Sequence, residues 1–135
     1  MSVAQASGME NVKGVDPITL VNKTCLGTFN TGGSAATSKG ATRIKFYQKE
    51  NKLAANYSRL FGAEAFQNPA TTKNFDDLGE VLNLSVEGKT ISFTNTIGVK
   101  FNLTVEGEKL QGELDPSATN IPNNTRKAKM ELTCV

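Results

Sequence analysis

The side chains that could carry out acid–base chemistry are few in this sequence. Histidine is absent, and with it the residue that exchanges protons most readily near neutral pH and most often binds metal ions. The closest carboxylates are Asp76, Asp77 and Glu80, whose spacing does not match a calcium-binding loop and which could equally cap a turn. We therefore expect no metal, no cofactor and no catalytic residue. An enzyme, the least favoured alternative, would have to use these carboxylates, Tyr57 or a lysine.

The two cysteines, Cys25 and Cys134, could form a disulfide bond. No CxxC pair or cysteine–histidine cluster is present, so neither a metal site nor a thioredoxin-like redox motif is indicated. A bridge would close a loop of about 110 residues and, in the chain-entropy model, stabilise the fold by roughly 4–5 kcal/mol. The alternative is a pair of buried free thiols. The disulfide is the favoured prediction, and it implies an extracytoplasmic compartment, secreted or periplasmic.

Length and composition describe one globular domain. The chain has 135 residues, a net charge of +2 and 38% hydrophobic residues, which is enough for one hydrophobic core. No apolar run approaches the ~18–20 residues that span a bilayer. A nucleic-acid binder would gather a stronger basic excess in one stretch. We expect a monomer with a flexible arm over residues 1–17 and a single β-barrel domain over residues 18–135.

An internal sequence repeat indicates how the chain folds. The segment Asn83–Lys89 (NLSVEGK) returns 19 positions later as Asn102–Glu108 (NLTVEGE). In each copy an alternating apolar run enters a Glu-Gly pair and another alternating run follows, which is typical of a β-hairpin with glycine in its turn. The sequence predicts an all-β, antiparallel meander of about eight strands, closed or nearly closed into a small barrel. One irregular segment, 60–79, interrupts the pattern.

The strand containing Leu26-Gly27-Thr28-Phe29, which leads into a hairpin meander, resembles small calycin-like barrels in its pattern. The Gly-x-Trp signature of lipocalins is missing because the chain has no tryptophan, and no family is assigned. In a closed barrel the last strand pairs with the first. Closure would therefore bring Cys134 towards Cys25.

Two kinds of surface could bind a macromolecule. The long loops at 30–40, 60–79 and 115–125 could be presented to a partner. Basic side chains that flank the first strand could form a stripe for an anionic surface or an acidic protein; this basic stripe comprises Arg43, Lys45, Arg126, Lys127 and Lys129. Charged outer faces also keep any sheet in solution. The favoured function is a non-catalytic interaction module of the inhibitor, effector or accessory type.

The barrel interior offers an alternative function. Its aromatic candidates are Phe46, Tyr57, Phe93 and Phe101, and an eight-stranded barrel is either filled by side chains or holds one small ligand. A small carrier would enclose an apolar molecule among these four rings. Tyr57 would need a polar partner from the protein or from the ligand. Large Leu, Ile and Phe residues at most inward positions favour a filled core.

Overall fold

The computed structural model describes residues 9–13, 20–31, 38–71, 73–115 and 128–135. These ranges contain ten β-strands and one short helix. The elements of the first half are β1 Val12–Lys13, β2 Thr24–Asn30, β3 Lys39–Lys49, β4 Lys52–Phe61, α1 Ala63–Gln67 and β5 Asp76–Glu80. Those of the second half are β6 Leu82–Glu87, β7 Thr90–Thr94, β8 Lys100–Glu106, β9 Lys109–Asp115 and β10 Ala128–Cys134.

All ten strands belong to one sheet, in the order β1-β6-β7-β8-β9-β10-β2-β3-β4-β5. The strands β2 to β10 pair antiparallel, and β1 adds to β6 in parallel. Strand β10 pairs with β2, so the end of the chain returns to its first long strand. The predicted all-β meander is confirmed, and it curls into a nearly closed barrel.

The repeated segments form the two predicted hairpins, β6–β7 and β8–β9. Each turn contains a glycine with positive φ, 60° at Gly88 and 62° at Gly107. Residues with a side chain rarely adopt this conformation, which explains why each copy has glycine at this point. Alternate residues of these strands face inward and are buried, in the order that the sequence predicts.

Inward-facing side chains from both ends of the chain form one continuous apolar core. A fully buried Leu, Ile or Phe stabilises the fold by roughly 1.5–3 kcal/mol relative to an exposed one. Strict alternation places these residues on one side of each strand, so the pleat itself separates core from solvent. The largest fully buried apolar side chains are Phe46, Phe101, Ile44, Leu53, Ile91, Leu103, Leu110, Leu132 and Val86.

The predicted disulfide between Cys25 and Cys134 is confirmed. The two residues lie directly opposite each other in the β2–β10 ladder. Thr24 and Val135 exchange both backbone hydrogen bonds at 3.0 Å, so the neighbouring cysteine pair is a non-hydrogen-bonded pair, in which side chains approach most closely. Both cysteines are buried. Such a disulfide is compatible with an oxidising, extracytoplasmic environment.

Strands β5 and β6 are two halves of one stretch of chain that changes partner at Val81. Before this residue β5 pairs with β4, and after it β6 pairs with β7. Val81 N–H donates to Ala55 O at 2.9 Å and extends the β4 ladder by one bond. Among the described residues, no strand pairing joins the start of β4 to β6. We call this opening the seam.

Asn11 bridges the seam with its side-chain amide. Its Nδ2 donates to Leu53 O at 2.8 Å and to Leu84 O at 2.9 Å, while its Oδ1 accepts from Leu53 N–H at 2.9 Å. The amide thus offers Leu53 the same donor and acceptor that a neighbouring strand would offer. The Asn11 backbone carbonyl accepts from Val86 N–H at 2.8 Å. Four backbone groups of β4 and β6 are therefore paired across the seam, as buried backbone groups must be.

Residues 9–13 belong to the segment predicted as a flexible arm, yet they pack against the barrel. Met9 and Val12 are buried in the core. Glu10 N–H donates to Asn51 O at 2.7 Å. This short segment therefore forms part of the barrel wall rather than lying free of it.

We predict that Asn11→Ala lowers the free energy of unfolding by about 2–4 kcal/mol, because it leaves three partly buried backbone groups without a partner. Urea denaturation followed by far-ultraviolet circular dichroism measures the change. Asn11→Asp, which keeps the acceptor for Leu53 N–H but places a charge beside two carbonyl oxygens, should also destabilise. Asn102→Ala is the control, because Asn102 is exposed on β8. An Asn11→Ala protein within about 0.5 kcal/mol of wild type, the usual range for a neutral surface change, would contradict the bridging role.

Candidate functional site

A row of polar side chains crosses the outer face of four adjacent strands. The ladder sets Thr104 opposite Gln111, Gln111 opposite Glu131, and Glu131 opposite Thr28. Opposite residues of an antiparallel pair point to the same face, so the four side chains form one continuous row. Gln111 Nε2 donates to Glu131 Oε2 at 3.1 Å within it. A second row runs beside the first and comprises Asn102, Glu113, Lys129 and Asn30.

Helix α1 lies against the outer face of β3, next to the end of the first row. Ala41 on β3 points outward and is nonetheless fully buried, as expected for a residue under the helix. Ala65 is the buried residue of α1, whereas Phe66 remains partly exposed. The Lys39 ammonium lies 5.7 Å from the centre of the Phe66 ring, within cation–π distance. Phe66 therefore forms an aromatic rim beside the polar rows.

Between the rows and this rim lies an open groove of about 650 Å³, which we call the outer groove. A Cβ atom added at Gly112 would overlap the backbone carbonyl oxygen of Asn102, so the backbones of β8 and β9 approach too closely for any side chain there. The main polar residues of the lining are Thr28, Asn30, Gln111, Glu113, Lys129 and Glu131. Of these, Lys129 was a candidate from the sequence and Asn30 begins the predicted 30–40 loop; the others were not predicted, because alternation shows which residues face outward but not which become neighbours.

The outer groove is negatively charged. Its lining contains three carboxylates, those of Glu106, Glu113 and Glu131, and one ammonium group, that of Lys129. At neutral pH the lining therefore carries a net charge of −2, from three negative groups and one positive group. A cationic partner suits this surface better than an anionic one.

The residues of the predicted basic stripe do not all lie together. Strand β2 does lie between β3 and β10, as the stripe requires. Lys45 pairs with Thr24 and Arg43 with Leu26, whereas Lys129 pairs with Asn30 at the other end of β2. Four residues of a strand separate the two groups, a distance of roughly 13 Å. Arg126 and Lys127 lie outside the described residues.

Arg43 has a local partner on the outer face. Its guanidinium carbon lies 4.6 Å from the centre of the Phe75 ring, a stacked cation–π geometry. Arg43 Nε is buried without a hydrogen bond. The stack covers one face of this cation, and Lys45 beside it is the more exposed member of the predicted stripe.

The four aromatic residues predicted as a carrier site all lie in the core. Phe93 stacks on Phe101 with centroids 4.7 Å apart, and Tyr57 lies against Phe101 at 5.0 Å. Phe46 is likewise buried. Burial raises the pKa of the Tyr57 phenol, which therefore stays neutral well into the alkaline range. Tyr57, Phe93 and Phe101 thus pack on one another within the core.

Tyr47, Glu80 and Lys49 form a polar network on the outer face of β3–β5 that the sequence pattern did not predict. The Tyr47 hydroxyl donates to Glu80 Oε1 at 2.9 Å, with Asn56 Oδ1 3.1 Å away. Lys49 Nζ lies 3.1 Å from the same Glu80 oxygen. The hydrogen bond from Tyr47 lowers the pKa of the Glu80 carboxyl group most, and the hydrogen bond from Lys49 lowers it further. Desolvation raises the pKa of Tyr47 to about 12, together with the hydrogen bond to Glu80 and the negative charge of the Glu80 carboxylate.

Two of the acidic residues predicted as a cluster, Asp77 and Glu80, have separate structural roles. Asp77 Oδ1 accepts from Gly79 N–H at 2.8 Å and stabilises a turn. Glu80 belongs to the Tyr47 network. In the part of the chain that the structure describes, no cluster of three or more acidic or cysteine side chains is arranged to hold a metal ion.

Comparison with family models, with curated proteins and with solved structures yields no match. Within the described ranges, no helix has the length and apolar character needed to cross a membrane.

We predict that alkaline titration of tyrosinate absorbance shows no step near pH 10, although the chain contains two tyrosines. Both phenols have raised pKa values, that of Tyr47 lying at about 12. The folded protein holds these protons more tightly than the unfolded chain, so the free energy of unfolding should fall as the pH rises above about 10. Glu80→Gln removes the charge beside Tyr47 and should lower its pKa. If one tyrosine of the wild-type protein ionised with a midpoint near pH 10, that result would contradict this network.

Proposed function

We propose that this protein is a non-catalytic binding module that acts in an extracytoplasmic compartment and holds a basic segment of a macromolecular partner in its outer groove. The observation that carries the proposal is the groove itself. It is an open concavity of about 650 Å³ with an acidic lining, bordered by the partly exposed ring of Phe66.

The charge and chemistry of the lining support a basic polypeptide segment as the occupant. Three carboxylates against one ammonium group would steer lysine or arginine side chains towards the groove. Thr28, Asn30 and Gln111 supply hydrogen-bonding groups for a polar backbone. The face of Phe66 can accept a cation or an apolar side chain at the rim.

The disulfide bond supports the proposed extracytoplasmic location. Disulfides persist outside the reducing cytosol, and a bridge between Cys25 and Cys134 joins residues 109 positions apart. It fixes the β2–β10 ladder, which carries half of the groove lining. The groove would therefore keep its shape under the conditions in which the bridge forms.

The distribution of titratable groups supports a role in binding rather than catalysis. Active sites gather groups with shifted pKa values in one cleft. Here Tyr57 lies in the core, whereas Tyr47 and Glu80 lie on the outer face of β3–β5, on different strands from the groove. The chain also has no histidine to act as a general base.

A peptide titration at low ionic strength tests the proposal. Octalysine should shift the backbone amide resonances of Thr28, Gln111 and Glu131 in a ¹⁵N-labelled protein, because these residues line the groove. Octaglutamate is the matched probe of opposite charge. Glu131→Gln should weaken octalysine binding about two- to fivefold, the range for one exposed charge pair. Phe66→Ala tests the aromatic rim.

Glu87→Gln is the control variant, because Glu87 is an exposed carboxylate on β6 that does not line the outer groove. It should bind octalysine as the wild-type protein does. Equal binding of octalysine and octaglutamate, or equal weakening by Glu87→Gln and Glu131→Gln, would show that the groove does not select a basic segment.

A further inference from the structure

A second group of polar side chains points into the barrel, on the face of the sheet opposite to the outer groove. Arg59 occupies an inward position of β4, between Tyr57 and Phe61, in a strand whose other inward residues are apolar or aromatic. Thr42 lies opposite Arg59 in the β3–β4 ladder. Gly27 lies opposite Thr42 on β2, and the backbone of β10 approaches it too closely for any side chain there.

Among the described residues, no carboxylate forms an ion pair with the guanidinium of Arg59. Its guanidinium carbon lies 4.3 Å from the centre of the Phe61 ring, and its Nε is buried without a hydrogen bond. Asp76 stands opposite Arg59 in the β4–β5 ladder, and both residues belong to the described part of the chain, yet they form no ion pair. The side chain is only partly buried, so solvent reaches this end of the barrel.

The two neighbours of Arg59 add hydroxyl groups. Thr42 is fully buried, with 0% of its surface exposed, and its Oγ1 makes no hydrogen bond of good geometry. Tyr57 is also buried, and its pKa is raised mainly by that burial. The nearby Thr42 hydroxyl, through hydrogen bonding, and the positive charge of Arg59 oppose this rise in the pKa of Tyr57. A buried polar atom without a partner calls for a bound water, ion or ligand.

The unpartnered groups at this end can all donate hydrogen bonds, and one of them carries a positive charge. Arginine Nε–H has no acceptor capacity, and the threonine hydroxyl can donate as well as accept. We infer that Arg59, Thr42 and Tyr57 form an internal site for an oxyanion, the carboxylate or phosphate group of a small molecule. An oxyanion accepts several charge-assisted hydrogen bonds at once and would supply the acceptor that Arg59 Nε–H and the Thr42 hydroxyl lack, with the Tyr57 phenol beside them.

Arg43 provides a matched comparison within the same two strands. Its Nε is also buried without a hydrogen bond, and its guanidinium is also stacked on an aromatic ring. Arg43 faces outward, however, and pairs with Ser58 rather than with an unpartnered buried hydroxyl. An effect of ionic strength alone would act on both arginines, whereas an internal oxyanion site would involve Arg59 only.

Nuclear magnetic resonance of the full chain tests the site directly. The sequence has three arginines, so three Nε–Hε resonances are expected, and loss of a resonance in Arg59→Lys or Arg43→Lys assigns it. Titration with sodium acetate and with inorganic phosphate, against sodium chloride at matched ionic strength, should move the Arg59 resonance saturably. The Arg43 resonance should stay in place. The relative affinity of acetate and phosphate distinguishes a carboxylate from a phosphate ligand.

Arg59→Lys keeps the charge but removes the Nε–H donor, and it should weaken anion binding about tenfold or more, read at the backbone amide of Thr42. Arg43→Lys should bind as the wild-type protein does. The inference is overturned if the Arg59 resonance does not saturate with either anion by about 100 mM, where even a millimolar site is full. It is equally overturned if chloride produces the same shift. Both readings are taken on the wild-type protein, and for them the lysine variants serve only to assign its arginine resonances.

Discussion

The hydrogen bonds of Asn11 across the seam are the interaction on which the nearly closed barrel depends. A sheet that curls into a barrel must pair its first and last strands or leave backbone groups exposed along the gap. Here the chain passes from β5 to β6 without a turn and changes partner at Val81, so the ladder cannot continue along β4. One side-chain amide replaces the missing strand residue, with the donor and acceptor of a peptide group.

The hydrogen-bonded pairing of strands is continuous from β6 through β10 and β2 to β5, and it is interrupted at the seam. This pairing positions the other features of the structure. The disulfide fixes the register of β10 on β2, and that register sets Glu131 beside Thr28 on the outer face. The same ladder, continued through β3 to β4, sets Thr42 beside Arg59 on the inner face. The outer groove and the internal polar residues therefore depend on the same strand register, the first on the outer face of the sheet and the second on its inner face. Helix α1 packs mainly on β3 and contacts β2 and β4 to a smaller extent.

Much of this fold could be predicted from the sequence, because side-chain alternation directly reports the face of each residue. The alternating runs placed the inward residues of β8 and β10 correctly, and barrel closure brought Cys134 to Cys25. Asn11 could not be found in this way, since its partners lie 42 and 73 residues further along the chain. Nothing local distinguishes it from any polar residue of a terminal segment.

The candidate sites were harder to predict, because they depend on register between strands that are distant in sequence. The predicted basic stripe had the right strand order, but register places Lys129 at the far end of β2 from Lys45. The sequence does contain one signal for the internal polar residues. Arg59 interrupts the inward series Leu53, Ala55, Tyr57 and Phe61, and a charged residue on a core-facing position indicates either a strand bend or a site.

Native-state hydrogen exchange at the Leu53 and Val86 amides tests the central claim, that residues 9–13 complete the barrel wall. Both amides donate to Asn11. The account predicts that they exchange only when the whole domain unfolds, with the same opening free energy and denaturant dependence as the fully buried Ile44. Exchange by a local opening of low free energy, independent of denaturant, would show that residues 9–13 detach from an intact barrel, and it would contradict the account.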